Sequence, residues 1–159
     1  MAGIESGGLQ MGPEFTFVTE LTNVEHGEDE KLSRAKGFFE VPSLEELNDP
    51  AHPLHWMLAH FPNRVMVPGN IMSESLAQLL GYAASQEPVY EGKGLVLAGD
   101  DSRKFRREVS PGERLDLTVD VTRIGRVSVI GNGIAVVNEE LAAQVDGIKL
   151  GVVDLTQPD

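Results

Sequence analysis

The stretch "HFPNRVMVPGNIMSESLAQ", residues 60–78, decides how the rest of the chain is read. It begins with one of only four histidines, set in an apolar His-Phe-Pro context. It passes through Val67-Pro68-Gly69-Asn70 and enters a segment of Ile, Met, Leu and Ala that carries a single carboxylate, Glu74. From there, Met72, Leu76, Leu79 and Ala83 recur at helical spacing with Leu80 beside them, which predicts a long helix over 70–86. Gly69 and Asn70 stand at its start and Pro88 lies just past its end, as helix boundaries require. On periodicity alone, Glu74 and Gln78 fall opposite the apolar stripe, where a surface helix meets water. His60 alone reads as a partly buried loop histidine.

Before this stretch, residues 15–25 and 31–41 read as the two strands of a hairpin around the turn at 26–30. Ser43 with Glu46 forms a capping-box pattern for a short helix over 43–49. Residues 50–68 hold four prolines and little periodicity, and a loop that long in a compact domain usually serves function. After the helix, residues 94–99, 102–109, 114–124, 127–138 and 141–154 read as strands, with turns at 110–113 and 138–140. One long helix and several antiparallel strands make an α+β plan. The chain has 159 residues, one domain's length, with 41% hydrophobic content. We expect residues 1–13 to be a flexible tail and 14–159 a single domain.

Composition narrows the chemistry. With no cysteine, disulfides, thiolate zinc sites and a cysteine nucleophile are excluded, and the chain fits a cytoplasmic protein. No apolar run approaches the roughly 20 residues of a membrane helix, and the N-terminus carries no signal-peptide pattern. His52 and His55 lack accompanying carboxylates at metal spacing, so no metal site is expected. A formal net charge of −12 argues against nucleic acid as a partner. Yet seven of the thirteen Lys and Arg residues lie between 103 and 126, led by Arg103, Lys104, Arg106 and Arg107. That cluster reads equally as a docking patch for an anionic partner or as a charged strand edge.

The stretch from His60 to Gln78 resembles the signature HFPGxPVMPGVLxxEAxAQ of the β-hydroxyacyl-acyl-carrier-protein dehydratases, the FabZ/FabA family. A second block, "LAGDDSRKFRREVSPGERL" at 97–115, is similar to the family's stretch ending in FRRPVxPGD. The resemblance covers about residues 54–154. It implies a hotdog fold, in which an antiparallel sheet wraps a central helix. It also implies homodimers, possibly assembled further, with interfacial active sites. It implies His60 as the base, the Gly69 N–H as the donor to the thioester carbonyl, Glu74 as the acid and Gln78 as a group orienting Glu74 or the departing water. No cofactor is implied beyond the phosphopantetheine arm of an acyl carrier protein. Arg103, Lys104, Arg106 and Arg107, aided by Arg64, would then receive the carrier. The chain departs from the signature at Asn63, Val65 and Met66-Val67, in the loop holding His60. With the long acidic N-terminal region, this suggests a specialised member serving a polyketide or unusual fatty-acid pathway. Three other readings remain open: a hydratase, a thioesterase, or a non-catalytic carrier-binding hotdog protein. "NDPAHPLH" at 48–55 resembles the hydratase motif GDxNPLH, with one residue too many between Asp and His.

Overall fold

A computed structural model describes residues 11–155. Strands β1 (Glu20–His26) and β2 (Leu32–Glu40) form the expected hairpin, and helix α1 (Leu44–Leu47) follows. Ser43 caps that helix in a complete capping box with Glu46. After the loop comes α2 (Gly69–Ala84), then β3 (Lys93–Gly99), β4 (Ser102–Phe105), β5 (Arg114–Ile124), β6 (Ser128–Val137) and β7 (Glu140–Asp154). The seven strands form one antiparallel sheet in the order β1-β2-β5-β6-β7-β3, with β4 also paired to β7. The sheet wraps α2, which packs on β2, β5, β6 and β7. This is the hotdog arrangement.

The helix sits so deep because the strands beneath it carry glycine where its leucines land. A Cβ on Gly133 would lie 3.0 Å from Leu76, and one on Gly37 would lie 2.9 Å from Leu79 and 2.5 Å from the backbone oxygen of Glu20. Leu76, Leu79 and Leu80 are fully buried as a result. Burying one such side chain contributes about 1.5–3 kcal/mol.

The helix is also covered on the side expected to face water. Gln78 is only 5% exposed. Its Oε1 accepts from the Phe17 N–H (2.9 Å), and its Nε2 donates to the Phe15 carbonyl (2.9 Å) and to Glu74 Oε1 (3.2 Å). These bonds also explain why the first strand is shorter than expected. The Phe17 N–H and the Phe15 carbonyl are held by a side chain and not by a neighbouring strand, and β1 starts at Glu20. Pro13–Phe15 form a 3₁₀ turn instead. The Trp56 indole donates to the Glu14 carbonyl (3.2 Å), and Phe17 makes edge contacts with Phe15, Phe39 and Trp56. Residues 12–18 are thus a strap tied across the helix. Of the tail expected over 1–13, residues 1–10 lie outside the described residues, and Met11 lies against the cavity beside Glu74.

The strand expected over 102–109 ends at Phe105. Beyond it Arg107 turns to Glu113 (2.8 Å) and Glu140 (3.3 Å), and the Val109 carbonyl accepts from the Val67 N–H (2.8 Å).

Two substitutions test this packing. Gly37→Ala sets a methyl against backbone and should destabilise the protein by about 1–3 kcal/mol in urea unfolding. Unchanged stability would show that the sheet can retreat from the helix. Gln78→Leu leaves the buried Phe17 N–H without its acceptor, a loss of roughly 1–3 kcal/mol. Trp56 fluorescence should then report a loosened strap; an unaltered spectrum and midpoint would mean that the aromatic contacts alone hold it.

Candidate active site

His60 ends the 3₁₀ turn His55–Ala59, and the loop after it closes on itself. The Met66 N–H donates to the His60 carbonyl (2.8 Å), and Phe61 and Arg64 exchange backbone bonds (3.2 and 3.0 Å). The imidazole Nδ1 lies 3.1 Å from the Met66 carbonyl oxygen. A carbonyl can only accept, so Nδ1 carries the proton and Nε2 presents its lone pair. Phe61 stacks on the ring, with centroids 4.3 Å apart. In the neutral ring this tautomer leaves Nε2 free to accept a proton.

Of the positions that depart from the family signature, Asn63 and Val65 lie toward the loop's tip, and Met66-Val67 lie at its closed end. Asn63 and Arg64 are exposed, and Arg64 pairs with Glu108 (2.7 Å). The bonds that orient His60 come from backbone groups of residue 66, which any residue but proline can supply.

His60 shares a cleft with Gly69, Met72, Phe105 and Arg106. Gly69 is the first residue of α2, where N–H groups have no partner within the helix. Its N–H takes no partner among the described residues. Phe105 covers the glycine, and a Cβ there would meet the ring at 3.0 Å. The cleft therefore holds a lone pair and an open backbone donor at a helix N-terminus, the pairing needed to remove a proton next to a carbonyl while stabilising the developing oxyanion.

Glu74 lies elsewhere. It lines a small cavity of about 40 Å³ with Gln78, Tyr82, Leu95 and Leu97. Burial pushes its carboxyl above the usual range, against the hydrogen bond from Gln78 and the charge of Arg103. Burial and the Glu74 charge likewise push the Tyr82 phenol up. Asn70, Glu74, Gln78 and Tyr82, four residues apart, thus form a polar row along one side of α2. Tyr82 was not singled out in the sequence, although its spacing from Gln78 placed it on that row.

One chain thus gathers His60 with Gly69, and Glu74 with Gln78, in two separate cavities. The basic cluster is divided too. Arg103 pairs with Asp100 (2.8 Å), and Arg107 pairs with Glu113 and Glu140. Lys104 and Arg106 are exposed and make no ion pair among the described residues. His55 Nδ1 lies 2.6 Å from the Leu47 carbonyl, and His52 Nδ1 accepts from the Leu54 N–H (3.0 Å). Both histidines therefore brace the loop.

Comparison with known proteins gives a consistent picture. The family model of the FabA-like domain matches residues 12–146. A 3-hydroxyacyl-[acyl-carrier-protein] dehydratase FabZ from Natranaerobius thermophilus is 38% identical over 111 residues, 70% of this chain and 72% of that protein. A protein of the same description from Clostridium botulinum is 30% identical over 132 residues, 83% of this chain and 82% of its own length. Among solved structures, the dehydratase heterocomplex ApeI:P from Xenorhabdus doucetiae superposes with a TM-score of 0.66 at 13% identity, covering 98% of this chain and 91% of that one. A thioesterase from Haemophilus influenzae reaches 0.56 at 16% identity, covering 87% and 80%. The two structures share the fold, and the family match over most of the chain goes further: the protein belongs to the FabA-like family.

Proposed function

We propose that this protein dehydrates β-hydroxyacyl chains carried as thioesters on an acyl carrier protein, giving trans-2-enoyl thioesters and water. The observation that carries the reading is the His60 cleft, where an oriented imidazole lone pair and the unpartnered Gly69 N–H line the same space. The relatives named above are dehydratases of such substrates, which favours this chemistry over hydration, thioester cleavage or a non-catalytic role.

In the proposed reaction, His60 Nε2 takes the proton α to the thioester carbonyl. The Gly69 N–H accommodates the charge that develops on the carbonyl oxygen, a donor typically worth about 3 kcal/mol. The electron pair released at Cα forms the double bond as the Cβ–O bond breaks. Glu74 gives its proton to the departing hydroxyl, which leaves as water. Burial suits Glu74 to this role, because a raised pKa keeps the proton available at higher pH than an ordinary glutamate would. Both N–H donors of Gln78 are engaged, one of them on Glu74, which suits it to orient the acid.

On this reading the two cavities meet across a homodimer. β3 is the open edge of the sheet, with Val96 and Leu97 38% and 40% exposed. The opposite edge, β1, presents polar and charged residues such as Glu20, Asn23 and Glu25, which discourage pairing. A homodimer formed along β3 covers the Glu74 cavity, which Leu95 and Leu97 border, and lets the partner's cleft complete it. Lys104 and Arg106, which are exposed beside the cleft, are the groups we assign to receiving an anionic carrier. On this reading the enzyme works in the cytoplasm, where it serves a fatty-acid or polyketide-type pathway.

Mass spectrometry of β-hydroxyacyl chains on carrier protein and on coenzyme A should show a loss of about 18 mass units with wild type. Removing an acid or base should slow this about a hundredfold or more in His60→Ala and Glu74→Gln. Intact substrate with wild type would sink the reading. Mixing the two inactive variants should restore about a quarter of wild-type activity, because half of randomly reassorted dimers carry one intact site. No recovery after subunit exchange would place both residues of a site on one chain. Reversing Lys104 and Arg106 to Glu should raise KM roughly tenfold for carrier-bound substrate at low salt. An equal rise for the coenzyme A substrate would rule out docking as their role.

A further inference from the structure

Arg103 was grouped with the basic cluster, but its surroundings differ from those of Lys104 and Arg106. Its Nε donates to Asp100 Oδ2 (2.8 Å), and its Nη1 donates to Asn70 Oδ1 (3.0 Å). The Asp100 side chain is itself 11% exposed, so the ion pair is partly sheltered from water. Asn70 heads the row that continues through Glu74, Gln78 and Tyr82. A docking arginine needs a guanidinium free to reach its partner, whereas this one is fixed along one edge and at one end.

Resting on the reading of Glu74 as the acid, we infer that Arg103 is a positioning residue of the active site: the chain Asp100–Arg103–Asn70 fixes one positive charge at the head of the row that holds the acid. The groups around Glu74 make that charge count. Its own helix offers Gln78 and Tyr82, neither of them cationic. β3 contributes Leu95 and Leu97, and the N-terminal strap contributes Met11. Arg103, from β4, is the cation that acts on the carboxyl among the described residues. When the proton passes to the departing hydroxyl and the Cβ–O bond breaks, Glu74 changes from neutral acid to carboxylate. A fixed cation stabilises the carboxylate and not the acid, so it favours the transfer. Burial keeps the proton in place beforehand, and Arg103 eases its release.

The role can be read without catalysis. With ¹³C-labelled glutamate, the Glu74 carboxyl signal is assigned by its loss in Glu74→Gln and followed against pH. Arg103→Gln should move its titration to higher pH, and Arg103→Lys, which keeps the charge but not the fork, should move it less. Arg103→Gln should also lower kcat by about three- to tenfold, short of the hundredfold expected for loss of the acid, on carrier-bound and coenzyme A-bound substrates alike. Should Arg103→Gln not fold, Asn70→Ala frees the same guanidinium and should shift the titration in the same direction. An unmoved Glu74 titration would overturn the inference. So would a defect confined to KM for the carrier-bound substrate, which would return Arg103 to the docking surface. If wild type dehydrates neither substrate, the dehydratase reading falls by itself, and the titration still decides what Arg103 does to Glu74.

Discussion

A sixteen-residue helix that buries its side chains on nearly every side must be covered on nearly every side. The curved sheet covers most of α2, and Gly37 and Gly133 let it come close enough to do so. What remains is a row of polar side chains, which an apolar sheet cannot satisfy. A buried amide without partners is destabilising by about 1–3 kcal/mol, so the chain supplies partners from its own N-terminal segment. Gln78 satisfies the backbone of Phe15 and Phe17 and is satisfied by it. The strap is therefore part of the fold because of the polar row, and the polar row can be buried because of the strap.

That arrangement sets the electrostatics of Glu74, the acid of the proposed reaction. Glu74 is half-buried beside aliphatic side chains, and loss of water favours its neutral form. The Gln78 amide and the Arg103 guanidinium favour the charged form, but burial outweighs them. One hydrogen bond and one cation, itself paired with Asp100, are too little to replace the hydration of a carboxylate. The balance suits a group that must hold a proton and then give it up. In the separate cleft, the Met66 carbonyl engages His60 Nδ1 and so selects the tautomer.

Much of this was legible in the sequence, for a physical reason. Strand β5 and most of β6 alternate because one face packs on α2, and the expected ranges of β5, β6 and β7 match within a residue. Helix α2 was found from Met72, Leu76, Leu79 and Ala83, all of them buried. The solvated face that periodicity alone gives Gln78 is not what the fold shows, because periodicity registers which residues are apolar, not what distant segment covers the rest. Phe15–Phe17, sixty-odd residues earlier, looked like strand because Phe, Thr and Val favour one. Nothing local announces that a side chain will take the Phe17 N–H. The basic cluster shows the same limit: four charges within five positions look alike in a sequence, and only the fold reveals that Asp100, Glu113 and Glu140 engage two of them.

The departures from the family signature follow the same logic. A motif position constrains a residue strongly when its side chain does the work, and weakly when only its backbone does. In the proposed reaction His60, Glu74 and Gln78 act through side-chain atoms, and a Cβ on Gly69 would press on the Phe105 ring at 3.0 Å. All four are retained. Met66 serves His60 through its carbonyl and N–H, so its side chain is free to differ. Asn63, Arg64 and Val65 instead line a surface groove with Leu44, Leu58 and Pro111. Changes there reshape the outside of the loop and leave the imidazole's anchor in place. The loop can diverge, at its tip and at residue 66 alike, without freeing the imidazole, because the bonds that hold His60 come from the backbone of Met66.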